Sequence, residues 1–191
     1  ERSKFLGVEL RAKTLGVIGL GRIGKDVAKK AIGLGMNIIA FDPYVIKEHV
    51  ENSHMKVTDL ETVLREADFI TCHVPLNKNT HHMIGKEQIA ITKDGVAFIN
   101  CARGGIIDET ALYEALISGK VAACALDVFE HEPPLESPLL DLPNVIATPH
   151  LGASTAEAQI NVALDVAKDV TRALKGKMVK SPINTITIRP E

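Results

Sequence analysis

The chain has 191 residues, of which 46% are hydrophobic and 24% are charged, and its formal net charge is −2 at pH 7. This composition is typical of a globular protein, and the length suits one large domain with its own hydrophobic core. A near-neutral charge, with no apolar run of roughly 20 residues, argues against a nucleic-acid-binding protein or a membrane-spanning one.

The start of the chain predicts a strand, a glycine-rich turn and a helix. An apolar run at residues 14–19 leads into the G-x-G-x-x-G sequence of Gly19, Gly21 and Gly24, and a helix over residues 22–33 follows. This order is the context of a dinucleotide-binding fingerprint. Gly19 would make the tight turn, Gly21 would let a pyrophosphate approach the backbone, and Gly24 would let the helix pack closely. The helix N-terminus would offer N–H groups to the phosphates.

A second strand is predicted at residues 36–41, and it ends at Asp42 and Pro43. An acid about 20 residues beyond the glycines, at the tip of the second strand, suits recognition of a ribose diol. Its carboxylate would accept hydrogen bonds from two hydroxyls and would repel a 2′-phosphate, which favours NAD over NADP. The alternative is that Asp42 only begins an Asp-Pro turn.

The remaining sequence continues to alternate strands with helices. Further strands are predicted at residues 55–57, 68–74, 95–101, 121–126 and 145–148, and further helices at 58–67, 86–91, 108–118 and 154–175. Thr58 with Glu61, and Ser154 with Glu157, read as capping boxes, and Asp108 reads as an N-cap. These elements predict an α/β fold of the Rossmann type, a doubly wound, mostly parallel sheet of seven strands with helices on both faces.

The predicted sheet brings several polar residues to one edge. The segments after parallel strands meet where ligands bind, and here they carry Arg103, Asp127, Glu132 and His150. This set could hold an anionic substrate, orient an imidazole and move a proton beside a dinucleotide. Each residue also has a plain alternative: a surface or ion-paired arginine, a turn cap, a solvated loop acid, and a capping or packing histidine.

The cysteines and histidines favour neither disulfides nor a metal. Cys72, Cys101 and Cys124 form an odd set without C-x-x-C spacing, which is typical of reduced thiols in a cytosolic protein. The histidines form no H-x-x-x-H pair with nearby acids, and His81 and His82 should point apart on a solvated loop. We therefore expect no metal site and a cytoplasmic location.

Four motifs together resemble the D-2-hydroxyacid dehydrogenase family, and they occur in order over nearly the whole chain. They are the glycine-rich loop at residues 19–24, Asn-Cys-Ala-Arg-Gly-Gly-Ile-Ile-Asp at 100–108, Ala-Leu-Asp-Val-Phe at 125–129 with Glu-Pro at 132–133, and Thr-Pro-His-Leu-Gly-Ala-Ser-Thr at 148–155. The resemblance implies a catalytic trio of Arg103, Glu132 and His150. His150 would exchange a proton with the C2 oxygen of the substrate, Glu132 would hold its other ring nitrogen, and Arg103 would bind the substrate carboxylate.

The resemblance also implies the remaining contacts to NAD. The predicted cofactor-binding residues are Gly19, Gly21, Arg22, Ile23, Gly24, Asp42, Val74, Pro75, Cys101, Ala102, Arg103, Asp127, His150, Gly152 and Ala153. Among them, Arg22 and Ile23 would cradle the pyrophosphate through their backbone, and Asp127 would hold the carboxamide. Val74 stands where the family often has threonine, which removes a side-chain hydrogen bond there.

Within the family, the motifs are most similar to the branch that oxidises 3-phosphoglycerate to 3-phosphohydroxypyruvate, the first step of serine biosynthesis. A glyoxylate or hydroxypyruvate reductase is the enzymatic alternative, and an NAD-sensing protein resembling the family's corepressors is the alternative of another class. Glu132 counts against the formate-oxidising branch, where glutamine is usual.

Family members also have a second domain that closes over the substrate. We therefore expect residues 1–191 to be the NAD-binding domain alone, with a leading segment at 1–13, a long closing helix at 154–175 and a tail at 177–191. Such a chain should bind NAD but turn over little, because half of the substrate pocket lies elsewhere. Family resemblance further implies a homodimer or a higher homo-oligomer.

Overall fold

The structure is a computed structural model that describes residues 7–46, 50, 54–180 and 182. The chain divides into two compact units, Glu1–His150 and Leu151–Glu191. The predicted leading segment and tail lie partly outside the described residues. Among the described residues, no helix is both long enough and apolar enough to cross a membrane.

The elements follow the predicted alternation of strands and helices. The strands are β1 (Thr14–Ile18), β2 (Asn37–Phe41), β3 (Met55–Val57), β4 (Phe69–Cys72), β5 (Val96–Asn100), β6 (Val121–Leu126) and β7 (Val145–Ala147). The helices are α1 (Arg22–Gly33), α2 (Leu60–Glu66), α3 (Lys86–Ala90), α4 (Glu109–Ser118) and α5 (Ala156–Leu174). A short 3₁₀ helix, Pro138–Asp141, lies between β6 and β7, where the sequence analysis predicts neither a helix nor a strand.

The predicted seven-stranded sheet is confirmed, and every pairing in it is parallel. The strand order is β3-β2-β1-β4-β5-β6-β7, so the chain reverses its direction of travel between β1 and β4. In such sheets ligands bind outside the carboxyl ends of the strands, next to the reversal. At that edge Asn100 of β5 pairs with Leu126 of β6, which pairs in turn with Ala147 of β7.

The two faces of the sheet pack into two separate hydrophobic clusters. Val17 of β1 packs with Ala28 and Ala31 of α1, whereas its neighbour Ile18 packs with residues of α2, α3 and α4. Successive side chains of a strand point to opposite faces, so α1 covers one face and α2, α3 and α4 cover the other. Helices on both faces are what the sequence predicts for a doubly wound sheet.

Two of the predicted helix caps are displaced by one residue. Asp59, not Thr58, caps α2 by accepting a hydrogen bond from the Thr62 N–H at 2.8 Å. Thr155, not Ser154, caps α5. Adjacent polar residues can all cap in principle, and the backbone path decides between them. The predicted cap at Asp108 is confirmed.

We predict that the core beneath α4 carries much of the stability of the first unit. Leu112 is fully buried, so Leu112→Ala should lower the free energy of unfolding by about 2–5 kcal/mol through lost burial and a residual cavity. Ile117 lies on the same helix and is 60% exposed, so Ile117→Ala should change the free energy of unfolding by less than about 0.5 kcal/mol. Urea unfolding of both variants is the measurement, and equal losses would contradict this account of the core.

Candidate active site and cofactor site

A hydrogen-bonded histidine and glutamate form the centre of the candidate active site. Nδ1 of His150 donates to Oε2 of Glu132 at 2.8 Å, and Oε1 of Glu132 accepts from the Phe129 N–H at 3.1 Å. The hydrogen bond from His150, followed by the one from Phe129, lowers the pKa of the Glu132 carboxyl. Nε2 of His150 has no hydrogen bond among the described residues. The imidazole is therefore held at one nitrogen and open to proton exchange at the other.

The pair borders a cavity of about 330 Å³ at the carboxyl edge of the sheet. Its lining consists of Asp127, Phe129, Glu132, Pro133, Pro134, Thr148, Pro149 and His150. Asp127 is only 5% exposed, and Thr148 Oγ1 donates to its Oδ1 at 2.6 Å. His150 has a backbone φ of 56°, a left-handed conformation that is uncommon for residues other than glycine and is often found at functional sites.

The loop that carries Arg103 is organised by Asn100, a residue that was not among the predicted site residues. Asn100 is 2% exposed; its Nδ2 donates to the Arg103 carbonyl at 2.9 Å and its Oδ1 accepts from the Ala102 N–H at 3.1 Å. The exposed guanidinium of Arg103 donates from Nη1 to the Ala102 carbonyl at 2.6 Å, and Arg103 does not line the 330 Å³ cavity. The sequence signal for Asn100 was its place at the end of a buried strand, at the head of the arginine motif.

Close backbone packing joins the Arg103 loop to the Glu132 loop. A Cβ added at Gly104 would lie 1.9 Å from the Phe129 carbonyl oxygen and 2.7 Å from the Glu130 nitrogen. Because both are backbone atoms, any larger residue at Gly104 would push the two loops apart. This contact joins two motifs that are separated in the sequence, and motif spacing could not have revealed it.

The glycine-rich loop has the shape that a dinucleotide requires. Gly19 has a φ of +97°, and a Cβ there would lie 2.6 Å from the His73 carbonyl oxygen. A Cβ at Gly24 would lie 1.9 Å from the Gly19 carbonyl oxygen, whereas at Gly21 it would have no protein atom within 4 Å. The first and third glycines therefore allow close packing within the protein, and the second leaves open space for a ligand.

The N-terminus of α1 lacks a side-chain cap. Its N-cap, Gly21, offers no side-chain hydrogen bond, and the first turn, which begins with Arg22 and the exposed Ile23, contains no acid. In contrast, Asp59 caps α2 and Asp108 caps α4. An uncapped helix end with free N–H groups is suited to an anionic phosphate. These observations fit the pyrophosphate of a dinucleotide.

Asp42 joins the end of β2 to the glycine-rich loop. Its Oδ2 accepts from the Leu20 N–H at 2.8 Å, and its Oδ1 accepts from the Tyr44 N–H at 2.9 Å. The second contact is the turn that the sequence allowed as an alternative, and the first places the carboxylate beside the glycines. Each oxygen can still accept a further hydrogen bond from a ribose hydroxyl. The ribose contact itself stays a prediction.

The other predicted cofactor residues are distributed around this edge. Val74 and Pro75 follow β4, and Val74 borders the glycine-rich loop, because its Cγ1 would be 2.9 Å from a Cβ at Gly19. Cys101 follows β5, where burial and the nearby charge of Asp127 raise the pKa of its thiol. Gly152 and Ala153 belong to the second unit, so their contact with the cofactor stays a prediction.

A larger cavity nearby does not coincide with the candidate active site. A cavity of about 640 Å³ shares Pro133 and Pro134 with the smaller one but is bordered on its other sides by α4 and residues 135–139. Because it includes neither His150 nor Asp127, we place the candidate chemistry at the smaller cavity. No group of three or more potential metal-ligating side chains occurs in the part of the chain that the structure describes.

We predict that Gly24 is required for cofactor binding. Gly24→Ala should displace the turn, because the new Cβ would meet the Gly19 carbonyl, and should weaken NADH binding by about tenfold or more. A Cβ added at Gly33, at the other end of α1, would have no protein atom within 4 Å, so Gly33→Ala is the matched control and should leave affinity unchanged. Fluorescence titration with NADH measures both, and equal affinities would contradict the packing argument.

We also predict a specific acid dependence. Because the pKa of Glu132 is lowered in the folded state, its contact with His150 stabilises the protein above the unfolded-state pKa and loses this effect as the pH falls through the folded value. His150→Ala should raise the pKa of Glu132 toward its ordinary value. Carbon-13 NMR titration of the carboxyl groups measures this, with the exposed Glu136 as the internal control; an unchanged Glu132 titration would show that His150 does not hold it.

Comparison with known proteins assigns the chain to a family. The family model described as "D-isomer specific 2-hydroxyacid dehydrogenase, NAD binding domain" matches residues 1–152. D-3-phosphoglycerate dehydrogenase of Archaeoglobus fulgidus is 53% identical over 191 residues, which are 100% of this chain and 36% of that protein. Hydroxypyruvate reductase of Thermotoga maritima is 50% identical over 177 residues, 91% of this chain and 57% of the relative.

Solved structures agree with this assignment. A D-lactate dehydrogenase with NAD+ from Lactobacillus jensenii has a TM-score of 0.87 at 34% identity, covering 95% of this chain and 58% of that one. A glyoxylate reductase from Paecilomyes thermophila has a TM-score of 0.85 at 40% identity, and the match covers 91% of this chain and 53% of that one. The chain thus spans only part of each of these proteins. It belongs to the D-isomer-specific 2-hydroxyacid dehydrogenase family, whose NAD-binding domain it matches.

Proposed function

We propose that this chain is the NAD-binding domain of a longer dehydrogenase that oxidises 3-phosphoglycerate to 3-phosphohydroxypyruvate, the first step of serine biosynthesis. The observation that carries the proposal is the His150–Glu132 hydrogen bond of 2.8 Å, at the same sheet edge as an uncapped helix N-terminus. The choice of substrate is supported by relatives named D-3-phosphoglycerate dehydrogenase, which are 53% identical over the whole chain.

His150 is the proposed general base for oxidation. Bound NAD supplies the acceptor for the hydride that leaves C2 of the hydroxy acid. Nε2 of His150 takes the proton of the C2 hydroxyl and returns it when the keto acid is reduced. The lowered pKa of Glu132 keeps this carboxyl ionised, so it stabilises the imidazolium that forms and fixes the tautomer in which Nδ1 carries its proton.

Arg103 is proposed to bind the substrate carboxylate. Its guanidinium is exposed, and the contact from Nη1 to the Ala102 carbonyl engages one of its five N–H donors. The remaining donors form a planar fork that matches a carboxylate in two parallel hydrogen bonds. The arginine would therefore fix the acid group of the substrate while the hydroxyl faces His150.

Asp127 is proposed to hold the cofactor carboxamide. The Thr148 hydroxyl donates to Oδ1 of Asp127 at 2.6 Å, which fixes the direction of a carboxylate that is only 5% exposed. At the other end of the site, Asp42 would bind the ribose diol and the α1 N-terminus would bind the pyrophosphate. We infer NAD and not NADP from this acid.

A reductase of hydroxypyruvate or glyoxylate is the second candidate. The hydroxypyruvate reductase of Thermotoga maritima is 50% identical, and the glyoxylate reductase structure is 40% identical. The two candidates share the same proton transfer and differ in whether the substrate carries a phosphate.

We further propose a cytoplasmic homodimer. The free cysteines Cys72, Cys101 and Cys124 support a reducing compartment, and burial raises the pKa of the Cys72 thiol to about 12, so that thiol is chemically inert. The family resemblance supports the dimer. Light scattering after size-exclusion chromatography measures the oligomeric state.

The proposal predicts the substrate preference of the full-length protein and the effect of His150. NADH oxidation should be fastest with 3-phosphohydroxypyruvate in a panel that also contains hydroxypyruvate, glyoxylate and pyruvate. His150→Ala should lower kcat by about 10²–10⁴-fold, because it removes the general acid–base. His54→Ala, at an exposed histidine before β3, is the control and should retain full activity.

Other outcomes would change the conclusion in defined ways. Preference for glyoxylate or hydroxypyruvate would replace the substrate and keep the proton transfer. NADH binding without turnover of any acid would overturn the enzymatic proposal in favour of NAD sensing. The 191-residue chain by itself should bind NADH with little turnover, and near-full activity would show that no second domain is needed.

A further inference from the structure

Three residues from separate parts of the chain form a hydrogen-bonded cluster beside the candidate active site. Glu130 Oε1 accepts from His82 Nε2 at 2.9 Å and from the Glu109 N–H at 3.2 Å. The Glu130 N–H donates in turn to Glu109 Oε1 at 2.6 Å. We call these residues the Glu130 clamp. It joins the loop after β4, the start of α4 and the loop after β6.

His82 is held in the clamp by an unusual backbone conformation. The sequence predicts that His81 and His82 point apart on a solvated loop; the loop is confirmed, and the predicted orientation of the two rings is wrong. His82 has a φ of 50°, and the two imidazole rings stack with their centroids 3.9 Å apart. The backbone N–H of His82 donates to the Gly105 carbonyl at 2.7 Å. Such a conformation persists only where surrounding contacts hold it in place.

The clamp holds the 129–130 peptide group, which is next to the 128–129 peptide group whose N–H holds Glu132. The Phe129 N–H donates to Glu132 Oε1 at 3.1 Å, and the next N–H, that of Glu130, donates to Glu109. From another direction, the Gly104 backbone packs against the Phe129 carbonyl. Displacement of residue 130 would therefore move the donor that orients Glu132, and through Glu132 it would move His150.

The clamp places two acids, Glu109 and Glu130, close together beside the candidate active site. Burial raises the pKa of the Glu109 carboxyl, and the charge of Glu130 adds to this rise, whereas the hydrogen bond from the Glu130 N–H and the nearby His131 and His82 oppose it. Asp108 lies 3.9 Å from His82 Nδ1. Two carboxylates are thus placed close together at the loop that carries the candidate catalytic glutamate, where a partly exposed ion pair by itself would stabilise little.

We propose that Glu130 is a positioning residue, which sets the orientation of Glu132, and hence of His150, by holding the 129–130 peptide against α4. The expected loss of kcat rests on the proposed function. The expected change in the pKa of Glu132 does not, because it can be measured without turnover. The clamp couples the segment after Arg103 to the segment of Glu132, so it fixes the spacing of the residues assigned to substrate binding and proton transfer.

The kinetic test uses the full-length protein and the variants Glu130→Ala, Glu130→Gln and Glu136→Ala. Glu130→Ala should lower kcat by about tenfold to a hundredfold with little change in KM, since misplaced catalytic groups slow the chemical step. Glu130→Gln should retain most of the wild-type kcat, because the glutamine amide oxygen can still accept from the Glu109 N–H and from His82 Nε2. Glu136→Ala alters an exposed acid on the same loop and should match the wild type.

Repeating the Glu130→Ala substitution in a Glu132→Gln variant separates a positioning role of Glu130 from a general structural effect. If Glu130 acts through Glu132, then Glu130→Ala should slow the Glu132→Gln enzyme by less than about twofold. An equal loss in both backgrounds, or wild-type kcat for Glu130→Ala, would overturn the proposal. Thermal unfolding of each variant identifies any that fail to fold, in which case Glu130→Gln and His82→Ala carry the test.

Carbon-13 NMR titration of the Glu132 carboxyl tests the same idea without turnover. In Glu130→Ala the pKa of Glu132 should rise toward its ordinary value, because the Phe129 hydrogen bond is weakened, and Glu136→Ala should leave it unchanged. If the wild type turns over none of the acids, the proposed function fails and this titration still decides the role of Glu130. Identical titrations in all variants would overturn the positioning role.

Discussion

Hydrogen bonding between parallel strands is the constraint on which the candidate site depends. The register that pairs Asn100 with Leu126, and Leu126 with Ala147, makes β5, β6 and β7 end at the same level. The next residues along each strand must therefore emerge at one edge of the sheet. This register brings the Arg103, Asp127 and His150 segments together, although they are far apart in the sequence.

Charge is distributed unevenly along that edge. At α1 the helix N-terminus has neither a side-chain cap nor an acid in its first turn, so its N–H groups favour an anion. At the β6 and β7 ends, acids predominate, and each is tied to a specific donor. Glu132 is held by His150 and Asp127 by Thr148. One end of the edge is thus suited to phosphates and the other to proton transfer.

The loop after β6 connects the chemistry to the rest of the fold. It carries Asp127, Glu130 and Glu132 within six residues, and each of these acids has a different partner. The loop approaches its neighbour closely because Gly104 has no side chain. Several weak contacts from different elements therefore hold one short segment, which is how a loop can keep catalytic groups in a fixed geometry.

The sequence by itself determined the fold class, the number of strands and the glycine-rich loop, because these depend on local periodicity and on residues that are close in the chain. It also indicated which residues follow each strand, and family resemblance grouped Arg103, Glu132 and His150. The one-residue errors at the caps of α2 and α5 arose because adjacent polar residues compete for the same role. Each of these features has a defined position in the chain, whereas the distances between them depend on the fold.

Only the tertiary structure decided the contacts between distant segments. The support of the Arg103 loop by Asn100, the close approach of Gly104 to Phe129 and the clamp of His82 with Glu130 join residues that no local pattern relates. The left-handed backbone of His82 reversed the expectation that its ring would point away from its neighbour. Such contacts depend on how loops pack across a sheet edge, and packing is a property of the whole fold and not of any one stretch of sequence.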